Sequence, residues 1–374
     1  MKAGPMLVTA MACALIATAC GGAAAPAESV ASTSPASSPK APTGAGPAQP
    51  SQSGASSAPA KPAASASASP GSAGIRLTVS FPEISGDSLP AWVAQDEGIF
   101  KKNGLDVDLR LIESAPGMAA LLAGDTDIAL IGGSEVVGAD VGGAGVKVTA
   151  VIDPYYPYLF EAAKDVHSAA ELKGKKIGVS KFGSSSDTAT RIVLQKVGID
   201  PNKDVTIIQV GSAAARTAAV VGGAIQGAIA HPPENLKMEQ AGFHVLFDLT
   251  SLGLPNDNVS VNAKASWISG HRDAMQKFVD SMAEAMTFMK QDKASTLKVI
   301  AKYYKSNDAQ LNGATYDFHV TRIFRAFVPP KPEQFTGIIS TLSERNPKAK
   351  GFDASSILDP SFANSTISRG LGPK

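Results

Sequence analysis

The chain is 374 residues long, with 34 basic and 33 acidic side chains, a net charge of +1, 44% hydrophobic residues and 2 cysteines. Residues 1–74 carry only Lys2, Glu28, Lys40 and Lys61 as charges and no aromatic residue, so the rest holds the 34 basic groups less three and the 33 acidic groups less one. That even mixture excludes nucleic acid as the main partner, because phosphate binding needs a clustered basic surface. With Cys13 and Cys20 both before residue 21, it also excludes a thiol nucleophile, a disulfide or a thiolate metal site in the later part.

Residues 6–16 (MLVTAMACALI) form an apolar run closed by Ala17, Thr18, Ala19 and Cys20. Such a run is too short to cross a hydrocarbon layer of about 30 Å as a helix, and it has the length of a secretory core ahead of a small-residue cleavage site. Residues 1–19 are expected to be a signal peptide. Residues 20–74, almost wholly Ala, Ser, Pro and Gly, are expected to be a disordered tether with too little apolar surface to offset its ordering entropy. Its root-mean-square span would be roughly 40 Å.

From residue 75 the pattern alternates. Residues 75–81 read as a strand, residues 85–87 as a loop, and Pro90 opens a helix closed by Gly98. Leu105, Val107, Leu109 and Leu111 alternate with Asp106, Asp108 and Arg110, a half-buried strand. A short helix over 118–123 stops at Gly124; strands follow at 128–131 and 146–152. Residues 153–158, with two prolines and three tyrosines, break the rhythm. It then resumes: strand 176–180, helix 188–197, strand 205–210, helix 213–221, strand 228–231, helix 233–241 and strand 245–248. Residues 249–258 form a second irregular crossing before strand 259–262, and the chain after Trp267 reads as helical. Repeated strand–helix units joined by two crossings predict an α/β protein of two lobes, two mostly parallel sheets with a ligand cleft between them. The expected boundaries are 75–156 and 257–374 for lobe I, with the C-terminal helices, and 157–256 for lobe II.

Four motifs carry a resemblance. Residues 89–108 (LPAWVAQDEGIFKKNGLDVD) are similar to the opening motif of solute-binding proteins for sulfonate, taurine, nitrate and thiamine-pyrimidine-precursor transporters, the SsuA/Thi5-like family. Residues 122–129 (LAGDTDIA) resemble its second signature, residues 172–180 (LKGKKIGVS) the start of its second lobe, and residues 222–233 a subgroup lacking the usual acidic residue beside this strand. The resemblance implies a type II periplasmic-binding-protein fold and delivery of a small organic or anionic solute to the permease of an ABC importer. Residues 1–20 themselves resemble a bacterial lipoprotein signal, which implies lipid attachment at Cys20 and a place at the outer face of the membrane or in the periplasm; the alternative is an ordinary cleaved signal with an incidental cysteine. A monomer is expected, with no cofactor.

In an α/β sheet, ligands meet loops at the carboxyl ends of parallel strands. The candidate ligand segments are therefore Ser85 and Gly86 after the first strand, the run of Gly132, Gly133 and Ser134 after the third, with Gly133 and Ser134 taken as the contacts, and Ser184, Ser185 and Ser186 at the start of a second-lobe helix. A helix start suits an anion, yet Asp187 lies three residues after Ser184 and can close a capping box instead. His231, ending a strand before two prolines, is either a ligand contact or a structural residue. Arg216 reads as surface or interlobe. Tyr155, Tyr156 and Tyr158 line the cleft or pack the hinge, and Tyr155 is retained as a ligand candidate.

No catalytic constellation stands out. His167, His231, His244, His271 and His319 show no metal-ligand spacing, and no metal is expected. A pyrimidine-precursor synthase and a binding lobe for signalling without transport remain as alternatives.

Overall fold

The computed structural model describes residues 74–373. The expected signal peptide, tether and Cys20 lie outside the described residues. Within them, no helix is long and apolar enough to cross a membrane.

The chain forms two five-stranded sheets covered by helices. In the first, β1 (Ile75–Phe81) pairs parallel with β2 (Leu105–Leu111) and with β3 (Ile128–Ile131). Between these strands run α1 (Leu89–Asp96), the single turn α2 (Ile99–Lys102) and α3 (Ser114–Ala123), and after β3 comes α4 (Gly133–Asp140). β4 (Val146–Tyr155) leaves this sheet, and β5 (Leu159–Ala162) enters the second. There β6 (Lys176–Val179) pairs parallel with β7 (Thr206–Gln209) and β8 (Gly227–Ala230), while β9 (His244–Asp248) pairs with β5. The connecting helices are α5 (Ser185–Lys196), α6 (Ala213–Val221) and α7 (Glu234–Gln240). β10 (Pro255–Lys264) then returns to the first sheet.

The strand orders are β2-β1-β3-β10-β4 and β7-β6-β8-β5-β9. β10 runs antiparallel to both its neighbours, as does β5 to both of its own. Each sheet thus has four strands in one direction and one reversed strand, and the reversed strand is the one that arrives from the other lobe. The mostly parallel expectation stands with this addition.

The crossings are more ordered than their composition suggests. β4 continues through Asp153 and Pro154 to Tyr155, and β10 begins at Pro255, so the two crossing strands pair with each other, Tyr155 opposite Pro255. β4 is the last strand in its sheet, where the N–H that Pro154 lacks is dispensable. β5 escapes a pattern reading because its four residues, LFEA, are all buried and include Glu161.

The first sheet packs against α1, where fully buried Trp92 stacks on Tyr303 at 4.4 Å and meets Phe81 edge-on at 6.0 Å. Phe100 stacks on Phe278 at 5.3 Å, joining α2 to the long helix α8–α9 region, Ala265–Gly270 and Arg272–Gln291. Helices α10 (Lys293–Tyr304), α11 (Ala309–Tyr316), α12 (Thr336–Ser343) and α13 (Ser361–Ser368) complete the chain. Most pack on the first lobe, but α12 lies against both α4 and α5 and so touches both lobes.

Candidate functional site

A cavity of about 410 Å³ opens between the two sheets. Its wall comes from the carboxyl ends of β1, β2 and β3 on one side (Glu83, Glu113, Gly132) and of β6 and β7 on the other (Ser180, Ser212), with the first turns of the helices that follow. Both lobes therefore contribute strand-end loops to one enclosure, the arrangement expected of a ligand site in open α/β sheets.

Of the candidate residues, Ser184, Ser185 and Ser186 line this cavity. Ser85, Gly86, Gly133, Ser134, Tyr155 and His231 do not. Each absence has a local reason. Ser85 is buried with its hydroxyl turned inward, just before the short 3-10 turn Gly86–Ser88. Gly133 is a packing glycine: a Cβ there would fall 2.7 Å from the Phe335 ring. Its neighbour Gly132 is the one at the wall, where a Cβ would collide with the Ser185 hydroxyl and lie 2.7 Å from the Asn258 carbonyl. Ser134 is spent on a buried 3.1 Å contact with Thr188, which ties α4 to α5 across the lobes. Tyr155 is 40% exposed, whereas Tyr158, three residues on, is buried and at the wall.

The start of α5 is closed internally. Ser184 Oγ accepts from the Asp187 amide at 3.4 Å and donates to the Lys181 carbonyl at 2.7 Å. The Asp187 carboxylate accepts from the Gly183 amide at 2.9 Å, Arg191 at 2.8 Å and Arg345 at 3.2 Å. The hydroxyls of Ser180, Ser184 and Ser186 bond to one another at 2.8–3.0 Å. Ser185 is the serine left facing Gly132 and Glu135 across the cavity.

Several wall residues were not among the candidate ligand contacts. The charged ones are Glu83, Asp87, Glu113, Glu135 and Glu234 against Lys181 and Arg216. Burial pushes Glu135 up to about 7, opposed by nearby Ser114 and Ser185. Arg216 is buried and donates to the Gly211 carbonyl at 2.9 Å, which makes it an interlobe wall residue rather than a surface one.

The wall residues Tyr158, Asn258 and Asp87 belong to a buried polar network. Tyr158 donates to Asn258 Oδ1 at 2.7 Å, and the Asn258 amide donates to Asp153 at 2.9 Å and more weakly to Asp87 at 3.4 Å. Burial holds Asp153 well above the usual carboxylate range, reinforced by the charge of Asp87. Burial also opposes ionisation of Asp87, but His231 and His319 beside it outweigh that and pull it down. His231 is lifted to about 9 because Asp87 overcomes the cost of burial, while His319 is lowered by burial and by His231. Asp87 sits two residues past candidate Ser85 and was legible only as part of that loop. His319, contributed by a distant helix, had no local mark.

This architecture defines a class: a bilobal α/β protein with the periplasmic-binding-protein fold. A family profile described as "NMT1/THI5 like" matches residues 85–295, and the chain belongs to that family. It is 27% identical over 217 residues to YtlA of Bacillus subtilis, named as a candidate binding protein; the match covers 56% of this chain and 64% of that relative. Among solved structures, the periplasmic aliphatic sulphonate binding protein SsuA from Escherichia coli superposes with a TM-score of 0.64 at 20% identity, covering 77% of this chain and 92% of that one. The desulfurization enzyme DSZB superposes with a TM-score of 0.58 at 14% identity, covering 79% and 99%. The fold is therefore shared by binding proteins and an enzyme.

Proposed function

We propose that this chain is the extracytoplasmic solute-binding component of an ABC importer, capturing a small organic solute in the cavity between its lobes. The observation that carries this is the single enclosure lined by strand-end loops of both sheets, in a member of a family whose relatives include named binding proteins. The lobes, divided near residues 156 and 256 where β4 and β10 cross, close by hinge motion and present a joined surface to a permease. The protein acts without catalysis, as a monomer, anchored through Cys20 to the outer face of the membrane.

The charge of the wall narrows the solute class. Five carboxyl side chains against two cations, and a helix start already satisfied by Asp187, favour a neutral or cationic solute over a sulfonate or nitrate. Apolar wall residues such as Ile84, Leu111 and Phe182 suit an organic body rather than an inorganic ion.

The test is thermal unfolding of the purified protein with a panel of neutral, cationic and anionic solutes, with small-angle scattering on any hit. A ligand at about 100 times its Kd adds roughly 2.7 kcal/mol, and the lobes should close around it. Stabilisation by none of the panel, with lobes that never close, rejects the binding role. Stabilisation only by sulfonates or nitrate rejects the charge argument. Labelled-lipid incorporation that persists in Cys20→Ser rejects the anchor.

A further inference from the structure

Beside the cavity, with Asp87 alone at its wall, three buried side chains converge. Asp87 lies just past β1, His231 directly follows β8, and His319 sits in the wide helical turn Asp317–Ile323 after α11. His231 Nε2 is 3.5 Å from Asp87 Oδ2, and His319 Nε2 is 3.3 Å from Asp87 Oδ1. Both separations exceed the roughly 2.7–2.9 Å of a charge-assisted hydrogen bond. Asp87 Oδ1 and both Nε2 atoms have no hydrogen-bond partner, and all three residues are at most 4% exposed.

The other ring nitrogens explain why. His231 Nδ1 lies 3.3 Å from the Pro232 carbonyl, and His319 Nδ1 lies 3.1 Å from the Thr315 carbonyl. A carbonyl only accepts, so each Nδ1 carries a ring proton and each Nε2 is the nitrogen turned to Asp87, able to ligate a cation once it is deprotonated. Such second bonds to carbonyls are how proteins fix the tautomer of metal-binding imidazoles. A buried carboxylate between two imidazoles needs a positive charge beside it, supplied either by a proton on His231 or by a cation held among the three groups.

The spacing bears on which cation fits. A tetrahedral ion with ligands at about 2.0–2.1 Å separates those ligands by about 3.3–3.4 Å, whereas right-angled six-fold geometry at the same bond length gives about 2.9 Å. The 3.3 and 3.5 Å separations run to different oxygens of Asp87, and one ligand atom from each residue lies within 4.8 Å of the other two, so an ion that drew the three together to about 3.3 Å would take the tetrahedral arrangement. Gly86 supports the arrangement, since any Cβ there would collide with the His319 ring.

We propose that Asp87, His231 and His319 bind one divalent ion of the zinc class. Asp87 also lines the cavity, so water or a donor atom of the solute would complete the ion's coordination from that side. The site departs from the sequence expectation of no metal, because His231 and His319 meet only through the fold. It stands on side-chain geometry and is independent of the transport role.

The full-length protein, stripped with a chelator, is titrated with Zn²⁺ and separately with Co²⁺. We expect uptake of one equivalent and a Co²⁺ absorption spectrum of tetrahedral type. His231→Gln, His319→Gln and Asp87→Asn should each weaken binding by more than about 100-fold, beyond the 10–100-fold lost when outer partners alone are removed. His244→Gln, in the separate stacked pair His167–His244 at 5.2 Å, should change nothing. No stoichiometric uptake by the stripped native protein overturns the proposal and leaves a proton as the shared charge. So does uptake that survives His319→Gln but is lost in His244→Gln. If the glutamine variants fail to fold, the native Co²⁺ spectrum decides: an octahedral, weakly held ion rejects the site.

Discussion

The bond between Tyr158 and Asn258 joins the segment entering the second sheet to the strand returning to the first, and its removal has a calculable signature. Both residues are buried, and the 2.7 Å contact is one of three that Asn258 makes in the network. Tyr158→Phe removes one donor and strands Asn258 Oδ1, at a cost of about 1–2 kcal/mol. Asn258→Ala strands the Tyr158 hydroxyl and takes the amide from Asp153 and Asp87, at a cost of about 3–4 kcal/mol. In the double variant the hydroxyl and the amide vanish together, so its loss should fall short of the sum by about 1–2 kcal/mol. Calorimetric unfolding of the four proteins in one buffer measures this directly. At about 2–4 °C per kcal/mol, Asn258→Ala should melt roughly 6–16 °C below the wild type. Additivity within about 0.5 kcal/mol would refute the claim that this contact couples the crossings. Asn258→Asp supplies a control of opposite chemistry. A third carboxyl beside Asp87 and Asp153 should lower stability further as pH rises.

Two further predictions concern buried carboxyls. Burial, with the charge of Glu239 adding to it, pushes Glu161 up to about 8. The native state therefore keeps a proton that the unfolded chain has already lost. That stabilisation is complete below the ordinary glutamate value of 4.5 and disappears as pH rises through about 8. Glu161→Gln should thus flatten the melting temperature between pH 5 and 9 by up to about 1.4 kcal/mol per pH unit; identical pH slopes would show that Glu161 stays ionised. At the cavity wall, Glu135 loses its proton near pH 7, so affinity for a cationic solute should rise through that pH in the wild type and stay flat in Glu135→Gln. Calorimetric titration at pH 6 and 8 reads the difference, and equal affinities would remove Glu135 from the site.

The expected organisation was legible because it rests on local patterns. Alternation at Leu105–Leu111, the glycine stops at Gly98 and Gly124, and the return of the strand–helix rhythm after residue 175 reflect burial of one strand or helix face. These marks gave the α/β class and the repeated strand–helix order, and the order of motifs led to the family. Other features belong to the tertiary structure. The crossings are paired strands because β4 and β10 meet each other, which neither segment encodes alone. The wall glycine is Gly132 rather than Gly133 because Ser185 and Asn258 approach it from elsewhere. Asp87, His231 and His319 share no local period, and their chemistry appears only when three distant segments bring their polar atoms within 4.8 Å of one another. Sequence periodicity records which face of an element is buried; it does not record which other element buries it.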